Sequence, residues 1–305
     1  MPINRPDYLL YAQHGWADTS YAIATLAQTL ATPQTLVIAP SLGFINTWWQ
    51  IEPLIQAVER IAIETNSRYP DVPIRIIGHS MGGLIWLEVL KRHPEWWSRV
   101  ESLVLIASPV GGADLARMID PLDLGIGIAY DLGKNRRKIA EAIAQTIPTL
   151  IIAGDYDDGS DGTIPIGSTK FRYAQFVLLP GLSHASMRNH PNVAAAVKDF
   201  WASETSIIHP QNIESDLLVQ RLQSVEGIID THHRDFTKAE VCLTLENGTS
   251  ISTWKNPLGI DYVFVKCPDG KCIYSGFVGW LHAENLWQTL RQIESEFTQT
   301  SQKLY

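Results

Sequence analysis

Cysteine is scarce in this sequence. The 305 residues include three, and all lie in the last quarter, at Cys242, Cys267 and Cys272. Thiols so few and so close together exclude the disulfide framework that stabilises small secreted domains. Cys267 and Cys272 have the spacing of two strand ends on either side of a turn. We expect reduced strand residues there, with a cross-hairpin disulfide or a metal clip as the alternative.

Long apolar runs are also absent. No stretch approaches the ~18 consecutive apolar residues that span a bilayer, which excludes a transmembrane helix. The apolar run near the N-terminus is too short for a signal peptide. These absences predict a cytoplasmic protein.

Positive charge is in the minority, with 24 Lys and Arg against 32 Asp and Glu and a formal net charge of -8. This sign repels a phosphate backbone, so nucleic acid is not an expected partner. The densest basic run, residues 134–138, is predicted to be a solvated helix face. A hydrophobic content of 45% with 18% charged residues is typical of a folded globular chain.

Residues 1–204 alternate short β-branched runs with longer amphipathic segments. This βαβ pattern predicts a parallel sheet of about six strands with helices on both faces, an α/β fold. Helices are expected over 51–65 and 83–92, and a final helix over 191–202. The six predicted strands are Tyr8–Gln13, Thr35–Ala39, Ile74–Gly78, Ser102–Ala107, Thr149–Ala153 and Gln175–Leu179.

The pattern changes after a polar, proline-containing linker at 203–212, so we predict a second, small α+β domain over 205–305. One hairpin is expected around Asn247-Gly248 and another around Asp269-Gly270. Two amphipathic helices flank them, with apolar residues three and four positions apart. The helix positions are Leu218, Leu222, Val225 and Ile229 in the first, and Leu286, Leu290, Ile293 and Phe297 in the second.

Ser80 lies in the motif with the clearest chemistry. The predicted strand at 74–78 runs into Gly-His-Ser-Met-Gly-Gly, and an apolar helical segment follows. G-x-S-x-G between a strand and a helix forms a sharp turn that strains the backbone of the serine and exposes its hydroxyl. Side chains at Gly78 and Gly82 would collide where the strand and the helix approach each other. We interpret Ser80 as a nucleophile, and a helix-capping serine is the structural alternative.

A serine hydroxyl is a poor nucleophile near neutral pH and needs a base, usually a histidine on a loop after a later strand. His184 fits this position because it follows the last predicted strand, in Pro-Gly-Leu-Ser-His, and precedes the closing helix. We therefore interpret His184 as the base that accepts the proton of Ser80.

Other histidines fit the role of the base less well. His79 is expected to face away from the neighbouring hydroxyl, while His93 and His190 lie beside prolines at helix edges. His232 and His233 fall in the other domain, where their pairing near a cysteine leaves a metal site as a weaker alternative. No bound metal and no other cofactor is expected.

Two preorganised N–H groups must stabilise the oxyanion that forms on the substrate. The backbone of Met81 is one candidate, because it begins the helix after Ser80. The backbone of Trp16 is the other, in the tight turn at His14-Gly15 after the first strand. An ordinary strand-end turn is the alternative interpretation of that segment.

The order HG, GHSMGG, an acidic turn and GLSH resembles the α/β-hydrolase superfamily over roughly residues 6–204. The first predicted strand already carries His-Gly, and only residues 109–148 separate the fourth and fifth strands. The likeness is therefore to minimal, lid-poor lipases and esterases. It implies that Ser80 is the nucleophile, that an aspartate after the fifth strand orients the base, and that Trp16 and Met81 are oxyanion donors.

Residues 154–165 offer four aspartates for that role, and two match the family pattern in different ways. Asp157 has the common distance from the preceding glycine, as in G-x-x-D. Asp161 has the common distance to Ile164 and Pro165, as in D-x-x-[VI]-P. We favour Asp161, since those two residues would anchor the far side of the loop, and Asp157 is the alternative.

The expected cleft is apolar, which favours an ester of a medium or longer hydrophobic acyl group over a peptide or a charged metabolite. The predicted function is therefore an esterase or lipase-like serine hydrolase with a small-molecule acyl ester as its substrate. An acyltransferase that uses the same triad, and a non-catalytic scaffold on the same fold, are the alternatives. The residues expected to line the cleft are Trp16, Leu42, Phe44, Trp48, Met81 and Ile126.

Overall fold

The structure is a computed structural model that describes residues 5–112, 128–203 and 214–302. Contacts between residues divide the chain into two compact units, Met1–Pro210 and Gln211–Tyr305. Among the described residues, no helix combines the length and the apolar character that crossing a bilayer requires.

A parallel sheet forms the centre of the first unit. Its strand order is β2-β1-β3-β4-β5-β6, and every neighbouring pair runs parallel. The predicted α/β fold and all six predicted strands are confirmed, with small changes at their ends. The strands are β1 (Tyr8–Gln13), β2 (Thr35–Ile38), β3 (Ile74–His79), β4 (Val100–Ile106), β5 (Thr149–Asp155) and β6 (Gln175–Pro180).

Helices cover both faces of this sheet. Alternate residues of each strand point to opposite faces, so Ile76 packs into one hydrophobic core and Ile77 into the other. Each such buried aliphatic side chain contributes about 1.5–3 kcal/mol. Helices α2 to α5 contribute to the first core, and α1 and α7 to the second. The helices are α1 (Ser20–Leu30), α2 (Ile51–Arg68), α3 (Met81–Arg92), α4 (Ile128–Gly133), α5 (Arg137–Ala144), α6 (Ile166–Thr169) and α7 (Pro191–Ala202).

The basic run at 134–138 is not the solvated helix face that its charge pattern predicts. Arg136 and Arg137 are 3% and 5% exposed. Arg136 Nε donates to Glu88 Oε1 at 2.9 Å, and Arg137 Nε donates to the carbonyl of Lys170 at 3.0 Å. Burial is possible because the planar guanidinium finds fixed acceptors for its N–H groups.

An antiparallel sheet forms the second unit, in the order β7-β11-β10-β9-β8. Both predicted hairpins are present. Helices α8 and α9 contribute to an aliphatic core together with β9, β10 and β11. The elements are α8 (Glu214–Gln223), β7 (Ile228–Asp230), β8 (Glu240–Thr244), β9 (Ser250–Lys255), β10 (Asp261–Lys266), β11 (Cys272–Val278) and α9 (Ala283–Gln302).

The first predicted helix of this unit is too long at its C-terminal end. It stops at Gln223, and Gly227 then turns the chain with a φ of +81°. Ile229, expected on the helix, lies instead in β7, where it pairs with Phe277 of β11. Apolar residues happen to continue at intervals of three and four positions across the turn, so the sequence pattern predicts a helix that is too long. The Phe297 side chain lies outside the described residues.

Candidate active site

Ser80 occupies the turn between β3 and α3. Its φ of 54° and ψ of -126° lie in a region that non-glycine residues rarely adopt, at a cost of about 1–3 kcal/mol. Its backbone N–H donates to the carbonyl of Ile106 at 2.8 Å, which ties the turn to β4. The strained backbone that G-x-S-x-G predicts is confirmed.

Glycines permit this turn because the strand, the helix and the neighbouring loop are in contact. A Cβ atom on Gly78 would lie 2.4 Å from the Cα of Gly83. A Cβ atom on Gly82 would lie 2.3 Å from the carbonyl oxygen of Gln13. Both positions are too close for any side chain, so the predicted need for Gly78 and Gly82 is confirmed.

The side chain of Ser80 is more enclosed than the motif predicts. The residue is 6% exposed, whereas the motif predicts an exposed hydroxyl. Gly15 explains the difference, because a Cβ atom there would lie 2.8 Å from Ser80 Cβ and 3.3 Å from Ser80 Oγ. The loop after β1 thus covers the serine and brings its own backbone to the hydroxyl.

His184 and Asp161 lie together on the loops after β6 and β5. His184 Nδ1 lies 2.7 Å from Asp161 Oδ2, and the backbone N–H of His184 donates to the carbonyl of Asp161 at 2.8 Å. The carboxylate can only accept, so Nδ1 carries the proton and Nε2 is left as the basic nitrogen. Among the described residues no hydrogen bond joins the Ser80 hydroxyl to His184. Such contacts often tighten only when a substrate binds.

Asp161 is held rigidly for this contact. It is 2% exposed, and its Oδ1 accepts hydrogen bonds from the backbone N–H groups of Thr163 at 3.0 Å and Ile164 at 2.7 Å. The alternative acid, Asp157, directs its Oδ1 to the backbone N–H and the hydroxyl of Ser160, at 3.0 and 2.7 Å. The structure therefore brings Asp161, and not Asp157, to the histidine.

The backbone N–H groups of Trp16 and Met81 are both available to an oxyanion. Met81 is the first residue of α3, where an N–H has no partner within the helix. Neither N–H donates a hydrogen bond to another group of the described residues. Met81 directly follows Ser80, and Trp16 follows the glycine that touches it.

His14 fixes the peptide that presents the Trp16 N–H. Leu42 donates its backbone N–H to His14 Nε2 at 3.0 Å, so the other ring nitrogen, Nδ1, carries the proton and donates to the carbonyl of Gly15 at 3.0 Å. Burial lowers the pKa of His14 below its usual value, which keeps this ring neutral. In a trans peptide the carbonyl and the following N–H point in opposite directions. Holding the Gly15 carbonyl therefore directs the Trp16 N–H away from His14.

The segment 42–48 supports the same loop from the outside, which sequence reasoning did not predict. Thr47 Oγ1 accepts the backbone N–H of Ala17 at 3.0 Å, and the rings of Trp16 and Trp48 meet edge to face with centroids 4.5 Å apart. Ala17 has a φ of 51°, so this strained turn depends on such support. The sequence shows only a threonine near aromatic residues there, and its burial is known from the structure.

The residues expected to line the cleft differ in where the structure places them. Leu42 and Met81 are core residues, 6% and 0% exposed, so the structure contradicts a lining role for their side chains. Phe44 and Trp48 are 50% and 41% exposed, and their rings lie 6.3 Å apart. Trp16 packs against Trp48, and Ile126 lies outside the described residues.

Comparison with known proteins gives a match in the first unit. The family model described as serine aminopeptidase, S33, a group of hydrolases, matches residues 4–129. The first unit, the hydrolase unit, therefore has the fold of the α/β-hydrolase superfamily. No curated protein sequence matches the chain.

Solved structures similar to this chain include a mature lipase of Bacillus licheniformis, with 16% identity and a TM-score of 0.48 over 68% of this chain and 96% of that one. An esterase of Exiguobacterium antarcticum has 14% identity and a TM-score of 0.48 over 65% and 93%. A Butyrivibrio proteoclasticus protein with ferulic acid bound has 18% identity and a TM-score of 0.46 over 66% and 89%.

His79 has a role in the hydrolase unit that its sequence position does not reveal. Its Nε2 lies 3.1 Å from the backbone carbonyl of His184, and the two imidazole rings have centroids 4.7 Å apart. The sequence suggests only that His79 faces away from the Ser80 hydroxyl. No sequence signal distinguishes a histidine that contacts the loop of the base from one buried in the core.

The other histidines of the hydrolase unit have structural partners of their own. His93 bridges Glu59 and Glu95 at 2.9 and 2.8 Å, and His190 Nδ1 accepts the backbone N–H of Asn192 at the start of α7. In the second unit, His232 accepts the backbone N–H of Arg234. Within residues 5–112, 128–203 and 214–302, no group of three or more His, Cys, Asp or Glu side chains is arranged to hold a metal ion.

Proposed function

We propose that this hydrolase cleaves carboxylic esters of hydrophobic acids through a covalent acyl-enzyme. Ser80 is the nucleophile, His184 the base and Asp161 the acid that orients it. The observation that carries this proposal is the 2.7 Å hydrogen bond from His184 Nδ1 to the buried Asp161 carboxylate, on the loops that follow β6 and β5. Ser80 lies at the same edge, because the carboxyl ends of parallel strands meet there.

The first half-reaction acylates the serine. His184 Nε2 accepts the hydroxyl proton of Ser80 as Oγ attacks the ester carbonyl carbon. The carbonyl oxygen becomes an oxyanion, which the N–H groups of Trp16 and Met81 stabilise. The tetrahedral intermediate expels the alcohol, which leaves with the proton that His184 carries. Asp161 stabilises the imidazolium without taking its proton.

The second half-reaction returns the enzyme to its starting state. Water gives one proton to His184 Nε2 as its oxygen attacks the acyl carbon, and the same two N–H groups hold the oxyanion. Collapse of this intermediate breaks the bond to Ser80 Oγ, which recovers its proton from His184. The acid is released and the serine is free again.

The acyl group is proposed to be hydrophobic. Phe44 and Trp48 are large, partly exposed aromatic residues that continue from Trp16, whose N–H is a proposed oxyanion donor. An acyl chain on a carbonyl held at this N–H would lie next to the three rings. Aromatic surface beside a few polar groups suits an apolar substrate with one reactive carbonyl.

A fluorophosphonate probe tests the nucleophile. An activated serine beside oxyanion donors attacks phosphorus as it attacks a carbonyl carbon, so the intact protein should become labelled at Ser80. Ser80→Ala should abolish the labelling, and Ser41→Ala, which changes an exposed serine near the cleft, should leave it unchanged. Folded wild-type protein that resists the probe, or labelling that survives Ser80→Ala, would contradict the proposal.

A panel of p-nitrophenyl esters tests the substrate class. The specificity constant should rise from acetate through the medium-chain esters, and Phe44→Ser should reduce that rise more than it reduces activity on acetate. Activity that falls steadily from acetate onward would contradict a hydrophobic acyl group. Product analysis with and without an added alcohol distinguishes hydrolysis from acyl transfer.

A further inference from the structure

His79 connects the nucleophile turn to the loop that carries the proposed base. It is 3% exposed, and it ends β3 directly before Ser80. Its Nε2 lies 3.1 Å from the carbonyl oxygen of His184, which can only accept, so Nε2 carries the proton. The two rings are tilted at 43° with centroids 4.7 Å apart.

This hydrogen bond has no substitute in the part of the chain that the structure describes. The loop at 181–190 is otherwise tied to the end of β5 and the loop after it, through a 2.6 Å bond from the Gly181 N–H to the carbonyl of Asp155 and through the backbone of Asp161. Arg188 also ties it to Asp18, in the loop after β1, at 2.9 Å. No other hydrogen bond of the described residues joins this loop to the nucleophile turn at 78–83. The bond of His79 is therefore the direct hydrogen bond between this loop and the nucleophile turn within the described residues.

The other ring nitrogen of His79 points to the same conclusion. Nδ1 is buried and has no hydrogen-bond partner among the described residues. A buried nitrogen without a hydrogen-bond partner costs stability. A histidine with a purely structural role would therefore be expected to form hydrogen bonds through both ring nitrogens. Within the described ranges, the hydrogen bond to His184 is the one hydrogen bond that the ring makes.

His79 is also kept neutral. Burial is the largest cause that lowers its pKa well below the usual value, and the nearby His184 lowers it further. Arg188 and His14 act in the same direction from the loops after β6 and β1, and Arg188 is itself paired with Asp18 at 2.9 Å. A neutral ring matters here because a second positive charge at this distance would oppose the imidazolium that His184 forms.

We propose that His79 is a positioning residue. The hydrogen bond from its Nε2–H to the His184 carbonyl fixes the distance between His184 and Ser80. The inference rests on the proposed function, since it assigns His184 the role of the base. His79 itself touches no substrate. It acts by holding the backbone of His184, while Asp161 fixes the tautomer and the orientation of the His184 ring.

Two variants of equal size separate this role from simple packing. His79→Gln keeps an N–H donor near the position of Nε2, whereas His79→Met has a similar length and no donor. A base displaced by about 1 Å costs up to ~10²-fold, so His79→Met should lower kcat on p-nitrophenyl butyrate by about 10- to 100-fold with KM within about twofold. His79→Gln should recover most of the loss, and both proteins should react with the fluorophosphonate probe at correspondingly altered rates.

The outcomes are distinguishable from failure of the proposed function. Wild-type protein that does not react with the probe would remove the function and this inference together. A reactive wild type with His79→Gln and His79→Met equally active would overturn the inference alone. Equal losses in both variants, together with a similar fall in melting temperature, would assign His79 to packing and also overturn it.

A measurement on the wild-type protein needs no variant to fold. In a ¹⁵N imidazole spectrum of the intact chain, His79 should remain the neutral Nε2–H tautomer as the pH falls through about 6.5, the usual range of a histidine. An Nδ1–H tautomer at His79, or a positive charge on its ring near pH 6.5, would overturn the proposal.

Discussion

The carboxylate of Asp161 accepts a 2.7 Å hydrogen bond from Nδ1 of His184 across 23 residues of sequence. The loops after β5 and β6 meet because these two parallel strands are neighbours in the sheet. Asp161 could be favoured from sequence because Ile164 and Pro165 follow it at the spacing of the family. In the structure Ile164 is buried, and its N–H also binds the carboxylate. The anchor on the far side of the loop therefore also orients the acid.

Exchange of single aspartates tests this assignment. Asp161→Asn should preserve folding and reduce kcat by on the order of 10⁴, because the amide stabilises the wrong tautomer of the histidine. Asp157→Asn is the matched control on the same loop, and it should change kcat by less than about tenfold, since its contacts are to Ser160. The opposite pattern would assign the role to Asp157. Ester hydrolysis and circular dichroism of both variants are the measurements.

The sheet and the nucleophile turn were accessible from sequence because their signals are local. A β-branched strand, two glycines and a serine specify a turn whose geometry follows from backbone sterics alone. The same holds for the Asn247-Gly248 hairpin, which lies between β8 and β9 as predicted. These elements require no knowledge of what packs against them.

Contacts between distant segments were not accessible in the same way. The enclosure of Ser80 by Gly15, the support of Ala17 by Thr47 and the contact of His79 with His184 all join residues far apart in the chain. A buried histidine and a surface histidine look alike in sequence, because the sequence does not show which distant segment packs against the ring. The burial of Arg137 was missed for the same reason, since its backbone acceptors leave no pattern.

The close contact at Gly82 predicts a large effect from one methyl group. Gly82→Ala would place a Cβ atom 2.3 Å from the carbonyl of Gln13, so α3 or β1 must move. The free energy of unfolding should fall by about 1–3 kcal/mol, and probe labelling of Ser80 should fall with it.

Gly167→Ala is the control for this substitution. Nothing lies within 4 Å of a Cβ atom there, and the residue sits in the short helix α6. The change should be neutral or stabilising by up to about 1 kcal/mol. Urea denaturation of both variants measures the effect, and equal stability of the two proteins would show that the turn tolerates the added methyl group.

The hydrogen bonds of His14 predict a loss of transition-state stabilisation. His14→Phe keeps a ring in place but removes both the donor to Gly15 and the acceptor for the Leu42 N–H. The Trp16 N–H would no longer be held, so if it is the proposed oxyanion donor, kcat should fall by on the order of 10²–10³. KM for a short ester should change little, because the ground-state carbonyl depends less on this donor.

A matched substitution outside the oxyanion loop controls for the loss of a histidine. His190→Phe removes the side chain that accepts the Asn192 N–H at the start of α7, and it leaves the loop after β1 untouched. It should cost about 1 kcal/mol of stability and leave kcat nearly unchanged. If His14→Phe retains wild-type kcat, the Trp16 N–H is not a donor to the transition state.

Burial of two histidines predicts how stability depends on pH. The pKa of His79 is lowered chiefly by burial, and so is the pKa of His14. An imidazole in the unfolded chain takes up its proton near pH 6.5, so below about pH 6.5 the unfolded state binds protons that the folded state does not. The free energy of unfolding is therefore greatest above this pH and decreases as the pH falls. Each histidine contributes up to about 1.4 kcal/mol per pH unit until the pH reaches its folded value.

Urea denaturation of the intact protein between pH 7.5 and 5.5 measures this slope above the range in which carboxylates titrate. The His79→Gln variant isolates one contribution, because glutamine binds no proton in either state. As the pH falls, the wild type should lose unfolding free energy faster than the variant does. The difference between the two should change by up to about 1.4 kcal/mol per pH unit. A difference that stays constant over this range would mean that His79 takes up its proton as readily in the folded chain as in the unfolded one, and its burial would then not keep it neutral beside His184.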